Sequence, residues 1–159
     1  MFFKFDYSLF PLVSVEFNNE EIIENDFELF LNCWKNIYSY NKDFILIFDT
    51  TNMSIPKLRY CFKMSMFIKN LRKIKNQYLK MSIMIMKNEI LCNMLDFIFF
   101  LQPPVADVHI TKEPMLNIIN KIQNNNNIYN IEELKFLNLN MIEIHNTVKQ
   151  SEHFLTVYC

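Results

Sequence analysis

The sequence predicts an α/β fold with a mostly parallel central sheet of about five strands and about four helices. Three observations lead there. Apolar runs of strand length alternate with longer stretches whose apolar residues recur every three or four positions. The runs at 44–48 and 81–86 lack polar alternation, as expected of strands buried on both faces. The order reads strand, strand, helix, strand, helix, strand, helix, strand, helix, which favours parallel strands joined by right-handed crossovers. The loops that follow the strands then share one edge of the sheet, where α/β proteins tend to bind ligands.

Residues 2–7 and 12–17 read as two strands joined around Phe10-Pro11, the second with Val13, Val15 and Phe17 alternating with Ser14 and Glu16. An acidic stretch from Glu20 to Glu28 leads into a helix with Asp26 at its start. Phe27, Phe30, Leu31, Trp34 and Tyr38 form its apolar face, and it stops near Asn41. After the strand 44–48, which ends at Asp49, a loop leads to Ser54, a predicted N-cap, with Pro56 in the first turn. A long helix is predicted from about Pro56 to Tyr78, striped by Tyr60, Met64, Phe67, Leu71, Ile74 and Tyr78. The strand 81–86, a helix over 89–101 ended by Pro103-Pro104, a strand over 106–111 and a helix over 114–123 follow. Beyond the Asn124–Asn127 run, residues 131–137 read as a short helix, while 141–159 fit strand, helix or extension.

Composition narrows the function. Of 159 residues, 51% are hydrophobic and 15% aromatic, enough for one domain with its own core and against disorder. No apolar run reaches the roughly 18 residues of a membrane span, and the N-terminus does not read as a signal peptide. Cys33, Cys61, Cys92 and Cys159 are widely spaced, with no C-x-x-C; three of the four sit among apolar residues and read as reduced packing residues, and a cytoplasmic location is expected. There is no glycine at all, against the roughly eleven that an average usage of about 7% would give. That removes the glycine-rich dinucleotide fingerprint, the phosphate-binding loop and the G-x-S-x-G nucleophile elbow.

The strand 44–49, the turn Thr50–Ser54, the helix ending in Gln77-Tyr78-Leu79-Lys80 and the strand 82–86 follow in order. Then come Lys87-Asn88, the helix through Phe97-Ile98-Phe99-Phe100-Leu101, Pro103-Pro104 and the strand 108–110. Over roughly residues 1–123 this arrangement resembles the STAS-like fold of anti-sigma-factor antagonists and the related lipid-binding half of CRAL-TRIO proteins. The resemblance implies a STAS-like domain over 1–127, with a C-terminal extension over 128–159. In the antagonists the turn after the corresponding strand carries a regulatory Ser before a glycine. By position Thr50, Thr51 or Ser54 stands there in this chain, without the glycine. Asp49, Thr50, Thr51 and Ser54 are accordingly the expected partner-binding residues. CRAL-TRIO proteins enclose lipid with additional helices around the sheet; none is predicted here, so no lipid cage is expected.

Charge is segregated along the chain. Residues 1–49 hold nine acids and three bases, 50–88 hold nine bases and no acid, and 89–159 hold eight acids and four bases. On a helical wheel Arg59, Lys63, Lys69, Arg72 and Lys73 lie opposite the Tyr60/Met64/Leu71 stripe. They form either a basic surface for an anionic partner or a solvated face balanced by the acidic first helix. Nucleic acid is disfavoured, since the net charge is −1 and counterion release rewards strongly basic proteins. Asp49 at the end of a central strand has no second acid or histidine nearby, and His109, His145 and His153 have no metal-ligand spacing. No metal, no cofactor and no catalytic set are therefore expected. The 89–101 helix is apolar around most of its circumference, which demands deep burial or an interface on its outer side. The expectation is a non-enzymatic regulatory or protein-interaction module, binding a protein partner or its own copy. The alternative is a peripheral module that binds acidic lipid headgroups through the basic helix 56–78.

Overall fold

Five consecutive buried apolar residues, Phe44 to Phe48, make the strand β3 (Phe44–Asp49) the centre of the molecule. Successive side chains of a strand point to opposite faces, so this strand requires a cover on both sides. The structure, a computed structural model, describes residues 1–124 and the two-residue strand 142–143. Around β3 the sheet contains β1 (Phe3–Asp6), β2 (Leu12–Phe17), β4 (Leu79–Ile85), β5 (Asp107–Thr111) and β6 (Ile142–Glu143). The spatial order is β1-β2-β3-β4-β5-β6. β2 to β5 run parallel, while β1 and β6 lie antiparallel at the two edges.

Strand order that follows the chain has a direct consequence. With right-handed crossovers, each connecting helix lands on the same face of the sheet. These helices are α1 (Glu24–Ile37), α2 (Leu58–Leu71) and α3 (Glu89–Leu101). Leu46 and Phe48 point toward them and pack with Phe30, Trp34, Tyr60 and Leu71, and Leu91 and Leu95 of α3 pack with Met86. Ile45 and Ile47 point the other way. With Met81, Ile83 and Ile85 they pack on Ile118 and Ile122 of α4 (Met115–Asn124). The mostly parallel α/β sheet with four helices is as predicted.

Aromatic rings fill the space between α1 and the β1–β2 hairpin. Phe30 lies between 5.4 and 6.2 Å from the rings of Phe2, Phe3, Phe5, Phe17, Phe27 and Trp34. Tilted and edge-on pairs at these distances suit the ring quadrupole and add to the area they bury.

Turns without glycine are built from side-chain oxygens. After each of the first five strands, one side chain accepts a hydrogen bond from the backbone N–H two residues on, at 2.8 to 3.1 Å. The acceptors are Asp6, Asn18, Asp49, Asn88 and Thr111. Such local bonds let Asp, Asn and Thr turn a chain where glycine would otherwise serve. Among the described residues only Asn41 has a positive φ, 51°, at the end of the 3-10 turn Tyr38–Tyr40. Asparagine tolerates this left-handed conformation better than most residues.

Two boundaries differ from expectation. The basic helix is shorter than predicted: α2 begins at Leu58, with Lys57 and not Ser54 at its N-cap, and ends at Leu71. The apolar period runs on through Ile74 and Tyr78 because these side chains still pack on the core, although the chain has left the helix. At the stop the Ile74 N–H turns back to the Leu71 carbonyl at 3.0 Å, and Gln77 braces the turn by donating its side-chain N–H groups to the carbonyls of Leu71 and Ile74, at 2.7 and 2.9 Å. β6 falls inside the stretch predicted as a C-terminal extension and pairs with β5 through Ile110↔Ile142 and His109↔Glu143. The predicted helix 131–137 and the rest of the tail lie outside the described residues.

If α4 is the cover of the second sheet face, Ile118→Ala should cost about 2–5 kcal/mol in urea unfolding. Leu116→Ala, at a position 67% exposed on the same helix, should stay within about 0.5 kcal/mol. Equal small effects would mean that α4 does not seal the sheet.

Candidate functional site

The loop edge of the parallel sheet holds the turn that the sequence marks as a partner site. Asp49 accepts from the Thr51 N–H at 2.9 Å. Thr50 is buried, and both its hydroxyl and its N–H donate to the Ile85 carbonyl, at 2.8 and 3.1 Å, tying the end of β3 to the end of β4. Ser54, expected to cap a helix, instead donates its hydroxyl to the Glu20 carbonyl at 2.8 Å. Thr51 alone among the three hydroxyl residues is exposed.

The neighbouring segment is tied down in the same way. Tyr60 donates its phenol to the Ile22 carbonyl at 2.9 Å, and Lys57 pairs with Glu21 at 2.8 Å. Lys63 bridges Glu24 and Glu28 of α1, the latter at 3.0 Å. The Lys57 ammonium beside Glu21 holds that carboxyl below its ordinary range. The turn and the start of α2 therefore act as a clasp on the chain before α1. The acidic and basic segments of the sequence meet here.

The five basic residues do not make one continuous surface. Lys63 is spent on α1, and Arg72 donates to the carbonyls of Pro103 and Pro104 at 3.2 and 3.4 Å, anchoring the loop after α3. The Arg59 guanidinium donates to the Tyr60 hydroxyl and lies 4.8 Å from the centre of that ring. Lys69 and Lys73 are exposed and have no ion-pair partner among the described residues. Ten residues of helix, about 15 Å, separate Lys69 from Arg59.

The outer side of the helical layer carries what sequence reasoning partly missed. Leu58, Phe62 and Met66, at successive i, i+4 positions of α2, are 56%, 48% and 55% exposed. The Phe62 ring meets Phe97 of α3 edge-on at 5.5 Å. Of the apolar α3 only Leu91 and Leu95 are buried, while Ile90, Phe100 and Leu101 are exposed. Deep burial therefore does not describe this helix. A helical wheel divided into a core face and a basic face hides the α2 stripe, because Leu58, Phe62 and Met66 fall between the lysines. Alongside it, a groove of about 580 Å³ between α1 and α2 has Leu31, Phe62, Met66, Phe67, Leu71 and Ile74 among its apolar walls.

Beneath α2 and α3 lies an apolar cavity of about 130 Å³, with Trp34, Phe48, Met64, Ser82, Met84 and Leu95 in its walls. Among the described residues no three His, Cys, Asp or Glu side chains come together as a metal site would require. His109 is buried in β5, with Ile83 as its register partner on β4. Cys33, Cys61 and Cys92 are free thiols whose pKa values burial raises. No helix among the described residues is long and apolar enough to cross a membrane. Comparison of the chain with protein-family models, curated proteins and solved structures gives no match.

Two measurements check the energetics of this region. Thr50→Val should lower stability by about 1 kcal/mol, since Ile85 keeps its bond from the Thr50 N–H; no loss would mean that the hydroxyl is not a tie. Desolvation holds the Asp96 carboxyl on α3 above its ordinary pKa, so its ionisation opposes folding. Stability should therefore fall as pH rises from the ordinary carboxylate range through the raised value. Asp96→Asn should raise Tm at neutral pH, and the gain should vanish once the solution is acidic enough to protonate Asp96 in both states.

Proposed function

We propose that the protein is a non-enzymatic, STAS-like interaction module that seats an amphipathic helix of a protein partner against the outer side of α2. The observation that carries this reading is the exposed stripe Leu58, Phe62 and Met66, continued onto α3 through Phe62 and Phe97. Three large apolar side chains on one helix face are a cost in water unless something covers them. The adjoining groove between α1 and α2 supplies the concave half of a helix-in-groove contact. Charge complementarity sets the partner's character. Lys69 near the end of α2 and Lys73 just beyond it have no ion-pair partner among the described residues, so the bound helix carries acids beyond its apolar face. The STAS-like assignment rests on the order of elements and the position of the turn after β3. An acidic membrane surface is a weaker reading, because Lys63 and Arg72 are engaged within the fold.

The test uses the full chain at micromolar concentration. It combines sedimentation velocity with crosslinking in an extract of the native source, and compares Phe62→Glu/Met66→Glu with Lys69→Glu/Lys73→Glu. The expected result is a monomer alone that crosslinks one partner at fixed stoichiometry through α2. Binding should fall at least tenfold in the apolar double variant, as for a central anchor, and become less salt-sensitive in the lysine variant. A partner retained by the folded Phe62→Glu/Met66→Glu protein, or a homodimer formed through this face, would overturn the proposal. So would salt-sensitive sedimentation with anionic liposomes that is lost in Lys69→Glu/Lys73→Glu.

A further inference from the structure

The parallel sheet has a second end, where its strands begin, opposite the loop edge that carries Asp49. Because β2 to β5 run the same way, each of α1, α2 and α3 returns the chain to that end before the next strand starts. The segments 38–43, 72–78 and 102–106 therefore gather there, and side chains lace them together. Asn76 donates its amide to the Tyr78 hydroxyl, which donates to Asn41 Oδ1, both at 3.4 Å. Arg72 ties the middle segment to the carbonyls of Pro103 and Pro104.

This end is basic. Lys35, Lys42, Lys69, Lys73 and Lys75 are exposed there, with no ion-pair partner among the described residues. Lys35 and Lys69 stand in the last turns of α1 and α2, where a cation suits the negative end of the helix dipole. The dipole does not account for Lys42, Lys73 and Lys75, which lie in the connecting segments. The nearby acids are otherwise placed: Asp43 is 3.3 Å from Lys80, Asp6 accepts from the Ser8 N–H on the hairpin, and Asp107 begins β5. Unpaired cations repel neighbours within a Debye length, about 8 Å at physiological salt. An anionic segment laid among them relieves that repulsion.

The basic end is continuous with the groove between α1 and α2. Lys35, Asn70 and Ile74 are all in the groove wall, and Lys73 and Lys75 flank Ile74 in sequence. A chain leaving the groove at the carboxyl ends of α1 and α2 is thus led onto the lysines. At the other end it meets Glu24 and Glu28, already bridged by Lys63. We propose, building on the helix-in-groove reading of α2, that the partner also carries an acidic segment adjoining its apolar helix. That segment lies across the end of the sheet on Lys35, Lys42, Lys69, Lys73 and Lys75.

Fluorescence anisotropy of synthetic peptides with the full-length protein tests this. The first peptide is an amphipathic helix of about 18 residues, about 27 Å long, stapled so that its helicity is fixed. The other two add a tail of about six Glu and Asp residues, reaching about 20 Å when extended, before or after the same helix. One tailed peptide should bind about tenfold tighter than the bare helix at low salt, as several weak surface pairs together allow. The gain should vanish at high salt. Lys42→Glu/Lys75→Glu should abolish it and leave the bare helix bound as before, which also shows that the variant is folded.

Equal binding of all three peptides would overturn the proposal. So would a gain untouched by Lys42→Glu/Lys75→Glu, which would put the acids elsewhere. Failure of the bare helix to bind, or its indifference to Phe62→Glu/Met66→Glu, would remove the groove reading itself and this proposal with it. Phosphatidylserine vesicles or polyuridylate, bound by the wild type and released by the same lysine changes, would assign the basic end to a membrane or to RNA and overturn it as well.

Discussion

The two-sided burial of β3 is the constraint from which the remaining architecture follows. Leu46 and Phe48 need an apolar layer on one face, and Ile45 and Ile47 need another on the opposite face. Each side chain of this size contributes about 1.5–3 kcal/mol when fully buried, so neither face can be left open at the sheet centre. Strand order that follows the chain delivers three helices to the first face. The second face is served only by what comes after β5, and α4 meets that need with Ile118 and Ile122, both fully buried. Among the described residues the two layers are therefore unequal. The three-helix side is thick enough to enclose a cavity and to present a broad outer surface, whereas α4 is a single stripe on the sheet.

The thicker side also explains why charge along the sequence does not translate into a charged face. The acidic residues before and within α1 lie beside the start of α2. Lys57 and Lys63 are drawn into pairs with Glu21, Glu24 and Glu28, and Arg72 is used to hold the loop after α3. Exposed ion pairs of this kind contribute little to stability. Their effect is to fix which helix lies beside which and to pair basic residues at the surface with acids, leaving apolar side chains between the remaining lysines as its distinguishing feature.

Much of the fold was legible because it depends on periodicity and on apolar runs. The unbroken run 44–48 announced a central strand, and the limits of β2 and α3 agree with the pattern of the residues. Where the reading failed, side-chain hydrogen bonds to the backbone mark the difference. Gln77 braces the turn after α2 although the apolar stripe continues, and Ser54 bonds the Glu20 carbonyl where a helix cap was expected. Both partners are distant in sequence or outside any helix pattern, so no local rule finds them. The candidate turn at Asp49–Ser54 was correctly located at the edge of the sheet. That Thr50 and Ser54 are consumed by the scaffold depends on tertiary neighbours. The α2 stripe, by contrast, could have been read by asking which large apolar residues the core face did not use.

The turns made by Asp6, Asn18, Asp49, Asn88 and Thr111 have a counterpart in the chain before it folds. A residue with a Cβ explores fewer backbone states than glycine does, and where the native φ is negative the difference favours folding by about 0.4–1 kcal/mol per position. With no glycine anywhere and a single left-handed residue among those described, nearly every described position lies on the favourable side of that comparison. The denatured ensemble is correspondingly narrow. Part of the order in these turns is thus secured by what the unfolded polypeptide cannot do, a contribution that leaves no contact in the folded molecule.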